Sequence, residues 1–123
     1  MQLFFYANSG NGHKDRLEAA IHGVVPAERV EFFESFDDFR ERLHCLIEPN
    51  SIAVLLAGNR EELLKMQMLR KLLPEIFVVL VLPDRSENTI GLAHALLPRF
   101  LTQIDDPFTD LQEVLFKMVR SSR

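Results

Sequence analysis

The chain has 123 residues, 47% hydrophobic and 26% charged, with 14 basic and 18 acidic side chains and a formal charge of −4. That length suits one domain around one continuous core, and the composition excludes disordered, collagen-like and low-complexity classes. The basic residues are scattered, which removes the electrostatic footprint of nucleic-acid binding, and the longest apolar run, residues 76–82, is about a third of a membrane-spanning helix;.

In chain order, five short apolar or β-branched runs alternate with helical periodicity;. The first, Leu3–Ala7, is closed by Asn8-Ser9-Gly10-Asn11-Gly12, and a helix is predicted over residues 13–24 with Leu17, Ala20, Ile21 and Val24 on one stripe;. The second run, residues 30–34, carries Glu31 and Glu34 and reads as an edge strand;. Ser35 is the expected N-cap of a helix over residues 36–47, with Phe36, Phe39, Leu43, Leu46 and Ile47 turned inward;. Residues 52–57 are the third run, followed by a helix over 60–73 that Pro74 ends;. Residues 76–82 are the fourth, with a helix over 87–97 behind Ser86 and a stop at Pro98;. The fifth run, residues 100–104, meets Asp105-Asp106-Pro107, read as a turn and helix cap, before a last helix over 108–120;.

Apolar strands separated by single helices require helices on both faces of a parallel sheet, joined by right-handed crossovers. The expected fold is α/β, a three-layer doubly wound (βα)5 domain of flavodoxin-like type with a parallel five-stranded sheet ordered 2-1-3-4-5. Ligands of such folds lie beyond the carboxyl ends of the strands. The N-terminus, Met1-Gln2-Leu3-Phe4-Phe5, has no basic region or cleavage site, and the single Cys45 has no second thiol to pair with, so a cytoplasmic, reducing compartment is expected;.

Strand count and spacing, with Phe77-Val78-Val79-Leu80, Glu87-Asn88-Thr89, Arg99-Phe100-Leu101-Thr102 and Pro107-Phe108, resemble the receiver domain of two-component response regulators over essentially the whole chain. The resemblance implies an aspartyl phosphorylation site at the strand ends: an acidic pair for Mg²⁺, an aspartate acceptor, a hydroxyl and a lysine. Carried over, the acidic pair falls on Ala7 and Asn8, the acceptor on Ala57, the hydroxyl on Leu82 and the lysine on Gln103. None of these side chains can do the chemistry, which needs a carboxylate nucleophile, hard oxygen ligands and positive charge on the phosphoryl oxygens. The expectation is therefore a degenerate receiver, a pseudo-receiver that is not an enzyme and holds no cofactor. It would work by contact with a signalling protein or output domain, or as a homodimer, through the helix 4–strand 5–helix 5 face (residues 85–97, 99–103 and 108–120).

The alternative rests on Ser9, Gly10, Asn11 and Gly12, similar to a shortened flavodoxin phosphate loop and implying a binder of FMN or another phosphorylated ligand at a helix N-terminus;. It lacks the threonines of that family, and the chain has no tryptophan to stack on a flavin. Asp84, Asp105 and Asp106 sit beyond strands 4 and 5, where an improvised divalent-ion site competes with ordinary turn chemistry. The histidines His13, His22, His44 and His94 show no ligand spacing and are expected at the surface, with no metal; Cys45 is expected as a small buried hydrophobe. Phe32, Phe33, Phe36 and Phe39 read as core, while Met66 and Met68, two residues apart, cannot share one helical face, so one of them is expected outside.

Overall fold

The five apolar runs form β1 (Leu3–Ala7), β2 (Val30–Phe33), β3 (Ile52–Leu56), β4 (Phe77–Leu82) and β5 (Phe100–Gln103), in a computed structural model that describes residues 1–8 and 12–121. Between and after them lie α1 (Lys14–His22), α2 (Phe36–Leu43), α3 (Arg60–Met66), α4 (Glu87–His94) and α5 (Thr109–Ser121). All strand pairs are parallel and the order is β2-β1-β3-β4-β5, the flavodoxin-like arrangement expected from the sequence.

The register explains why the strands are apolar on both faces. One row across the sheet reads Phe32, Phe5, Val54, Val79, Phe100, and the next reads Phe33, Tyr6, Leu55, Leu80, Leu101. Successive residues of a strand point to opposite faces. The first row packs under α1 and α5 through Leu17, Ile21, Leu111 and Leu115. The second packs under α2, α3 and α4 through Phe39, Leu63, Met66 and Ala93. At the edge, Glu31 of β2 takes both arms of the Arg42 guanidinium, at 3.0 and 3.2 Å, so the charge that marked this strand in the sequence is paired across to α2.

Two of the expected caps are present: the Ser35 hydroxyl accepts from the Asp38 amide, and the Ser86 hydroxyl from the Thr89 amide. Met66 is buried and Met68 exposed, as their spacing requires. Several helix ends differ from expectation. α2 stops at Leu43, where the amides of His44 and Cys45 reach back only three residues, to Glu41 and Arg42, tightening the last turn and swinging the chain off the helix axis. Leu46 consequently leaves the inward stripe and stands 95% exposed, and Cys45, expected in the core, is exposed too. α3 gives way after Met66 to a 3-10 segment, Gln67–Leu72, while the Gln67 side chain donates to the Leu92 carbonyl of α4 at 2.8 Å. α4 ends at His94 instead of running on to residue 97: the amides of Leu96 and Leu97 reach back only three residues, to Ala93 and His94, and Leu97, before Pro98, turns into the left-handed region at φ 52°;. Among the described residues no helix is long and apolar enough to cross a membrane.

Candidate functional site

The carboxyl ends of the strands form the rim where this fold places chemistry. Ala7 closes β1 and is buried on the face covered by α1 and α5. Ala57 and Leu82 are buried together on the other face, under α2–α4. The Ala57 amide donates to the Val81 carbonyl at 2.9 Å, extending the β3–β4 ladder by one residue, so its methyl sits inside the apolar layer and not above it. Asn8 and Gln103 are partly buried at the ends of β1 and β5. The five positions assigned by the receiver resemblance thus lie at strand ends, but the structure brings only Ala57 and Leu82 into one cluster.

Of the proposed anion loop, Ser9, Gly10 and Asn11 lie outside the described residues. Gly12 borders a cleft of about 440 Å³ that also takes in Asn8, His13, Asn59 and Glu62. Two of these are engaged in capping α3. The Asn59 side chain accepts from the Glu62 amide at 2.9 Å, and the Glu62 carboxylate accepts from the Gly58 amide. This reciprocal cap is legible as Asn-x-x-Glu, a signal that the sequence reading passed over. It places a carboxylate at the cleft and occupies the Gly58 N–H. Beneath it Tyr6 is buried and stacks on Phe39, with 5.3 Å between ring centroids. Burial first, then the Glu62 and Asp37 carboxylates, push its phenol up, so the hydroxyl stays protonated at neutral pH;.

The acidic residues past β4 and β5 are tied by the protein itself. Asp84 accepts from the Ser86 amide at 2.9 Å; that bond, with the Thr89 and Ser86 hydroxyls, holds its carboxyl below the usual range. Arg85 reaches across to Asp105 at 3.2 Å and Asp106 at 3.0 Å. The other Asp106 oxygen accepts from the Thr102 hydroxyl and from the Gln103 amide. On the far side Arg16 of α1 donates to the carbonyls of Ile104 and Asp106 and lies 4.3 Å over the Phe108 ring. Asp106 therefore closes the turn after β5, and α5 begins only at Thr109, so the expected helix cap is a strand-end cap. Residues 16, 85 and 106 are too far apart in sequence for local pattern to reveal this clip. Among the described residues no group of three or more His, Cys, Asp or Glu side chains is placed to hold a metal ion.

Chiefly the Thr102 hydroxyl, with the Gln103 amide and Arg85, holds the Asp106 carboxyl below its ordinary value, against the opposing effect of desolvation. A folded-state pKa below the unfolded value of about 3.9 means that the native state binds fewer protons. The contribution is present above the unfolded pKa and is lost as the pH falls through the folded one. Thr102→Val is expected to flatten the acid limb of a stability–pH profile below about pH 4; an unchanged limb in chemical denaturation would contradict it.

No protein-family model, characterised protein or solved structure matches the chain.

Proposed function

We propose that this chain is a receiver-like regulatory module that works without phosphorylation, by contact with a protein partner. The observation that carries the reading is the placement of Ala57 and Leu82. The fold offers its strand ends to chemistry, and at two of the positions where a receiver would hold acceptor and hydroxyl this chain has buried hydrocarbon packed into the core. A methyl group accepts no phosphoryl group, and the rim carboxylates past β4 and β5 are already occupied by Arg85, Thr102 and backbone amides.

With the rim inert, the remaining asset is surface. The face formed by α4, β5 and α5 is the one proposed to meet a signalling protein or an output domain.

The test is intact-mass measurement after incubation with acetyl phosphate and Mg²⁺. The expected result is an unchanged mass; stoichiometric addition of a phosphoryl group would overturn the reading.

A further inference from the structure

Helix α4 is anchored firmly where it starts and lightly where it ends. At its start Asp84 accepts from the Ser86 amide at 2.9 Å, and the Ser86 hydroxyl accepts from the Thr89 amide at 3.2 Å and donates to the Thr89 hydroxyl at 2.9 Å. Past its end the Arg99 amide donates to the Val78 carbonyl at 2.7 Å, where β5 begins. Between these anchors the helix buries only Thr89 and Ala93, both small. Helix α2, of equal length, buries Phe36, Phe39 and Leu43.

Gly91 stands in the middle of α4. It is exposed, its φ is not positive, and a Cβ there would meet nothing within 4 Å. Neither backbone conformation nor close packing requires glycine at this position, yet glycine weakens a helix interior relative to alanine. The helix breaks most easily here.

Beyond Gly91 the last turn gives up its α-helical bonding. The Leu96 amide bonds to Ala93 at 3.0 Å and not to Leu92 four residues back, so the Leu92 carbonyl is left to find a donor outside its own helix. Gln67 supplies one. Its side-chain amide donates to the Leu92 carbonyl at 2.8 Å and, less closely, to the Leu63 carbonyl of α3 at 3.4 Å. One side chain thereby ties the end of α4 to α3. Leu97 follows at φ 52°, a conformation that strains an L residue.

We propose that residues 91–97 form a hinged strap, which breaks from α4 at Gly91 and is latched shut by the hydrogen bond from Gln67 to Leu92. Opening takes Ala93 and Leu96 out of the apolar layer that they share with Val78, Leu80 and Leu101, and it releases the strain at Leu97. The face formed by α4, β5 and α5 then has two arrangements, and whatever binds one of them better shifts the equilibrium toward it. The strap is a property of the fold and stands whether or not that face meets a partner.

Amide hydrogen exchange on the full chain, read residue by residue by NMR, tests it. Ala93 is fully buried, yet its amide and those of residues 94–97 are expected to exchange about tenfold or more faster than those of Ile21 and Leu115, with little dependence on added urea, the mark of local opening. Gln67→Leu removes the latch, keeps the bulk, and should accelerate that exchange about tenfold. Gly91→Ala should slow it about fivefold. Urea melts on each variant confirm that it folds. Exchange at Ala93 no faster than at Ile21 and Leu115 would overturn the strap. Exchange there that Gln67→Leu leaves unchanged would overturn the latch, since the bond would then persist in the open form, and exchange that Gly91→Ala leaves unchanged would overturn the hinge.

Discussion

Replacing Phe108 with alanine is expected to cost about 3–5 kcal/mol of folding stability, which for a domain of this size lowers Tm by about 10–20 °C. Phe108 is buried in the layer formed by α1, α5 and the sheet, and the Arg16 guanidinium lies 4.3 Å from the centre of its ring. Truncation removes the ring from the core and also removes the surface on which Arg16 rests while it holds the Ile104 and Asp106 carbonyls. Phe108 also sits at φ 65°, a conformation for which an L side chain carries about 1–2 kcal/mol of strain, sustained here by the burial of the ring. Alanine loses the burial and retains the strain. Glycine loses the burial and is released from the strain, so Phe108→Gly should be at least as stable as Phe108→Ala, the reverse of the usual order of those residues. Denaturant melts of the two variants decide it; an alanine variant clearly more stable than the glycine variant, or a loss of under about 1 kcal/mol in both, would contradict this account.

The strand order and the two-sided core were legible because they follow from one-dimensional pattern. Residues 52–57 and 76–82 are apolar throughout, which only a sheet covered on both faces satisfies, and Glu31 and Glu34 marked the edge. The helix ends were less legible because a local tightening decided them. Nothing in Leu43-His44-Cys45 announces that α2 will close on three-residue bonds there, and that turn alone moves Leu46 and Cys45 from core to surface. The rim was partly legible. Each strand end could be placed by counting, but Arg16, Arg85 and Asp106 come together only through the tertiary structure, so a carboxylate pair that resembled half a metal site is bound by arginine. The Asn59–Glu62 cap is legible in the sequence as Asn-x-x-Glu directly after Gly58;.

Ala57→Asp, which introduces the residue type that a receiver would carry there, is expected to destabilise the fold by about 3–5 kcal/mol at neutral pH, the cost of leaving an unpaired charge in a buried site. The Ala57 methyl is fully buried beside Leu55, Leu80 and Leu82. A carboxyl group in that layer has its pKa raised by desolvation. Between the unfolded value of about 3.9 and the raised native one, the native state binds more protons than the unfolded state, so the variant loses stability as the pH rises. Its deficit relative to the parent should therefore be smaller near pH 4 than at pH 7. Ala57→Asn brings a polar group of the same shape without a titrating proton, and its deficit should not vary with pH over that range. Acetyl phosphate should label neither variant, because Ala7 and Asn8 supply no carboxylate for Mg²⁺ and the loops past β4 and β5 have their own partners. The measurement is urea denaturation of parent and variants at the two pH values, with intact-mass analysis after phosphodonor treatment. An aspartate variant as stable as the parent, with a pH-independent profile, would show that position 57 opens to solvent and not into the core. Phosphorylation of that variant would further show that the rim supports phosphotransfer once a nucleophile is supplied.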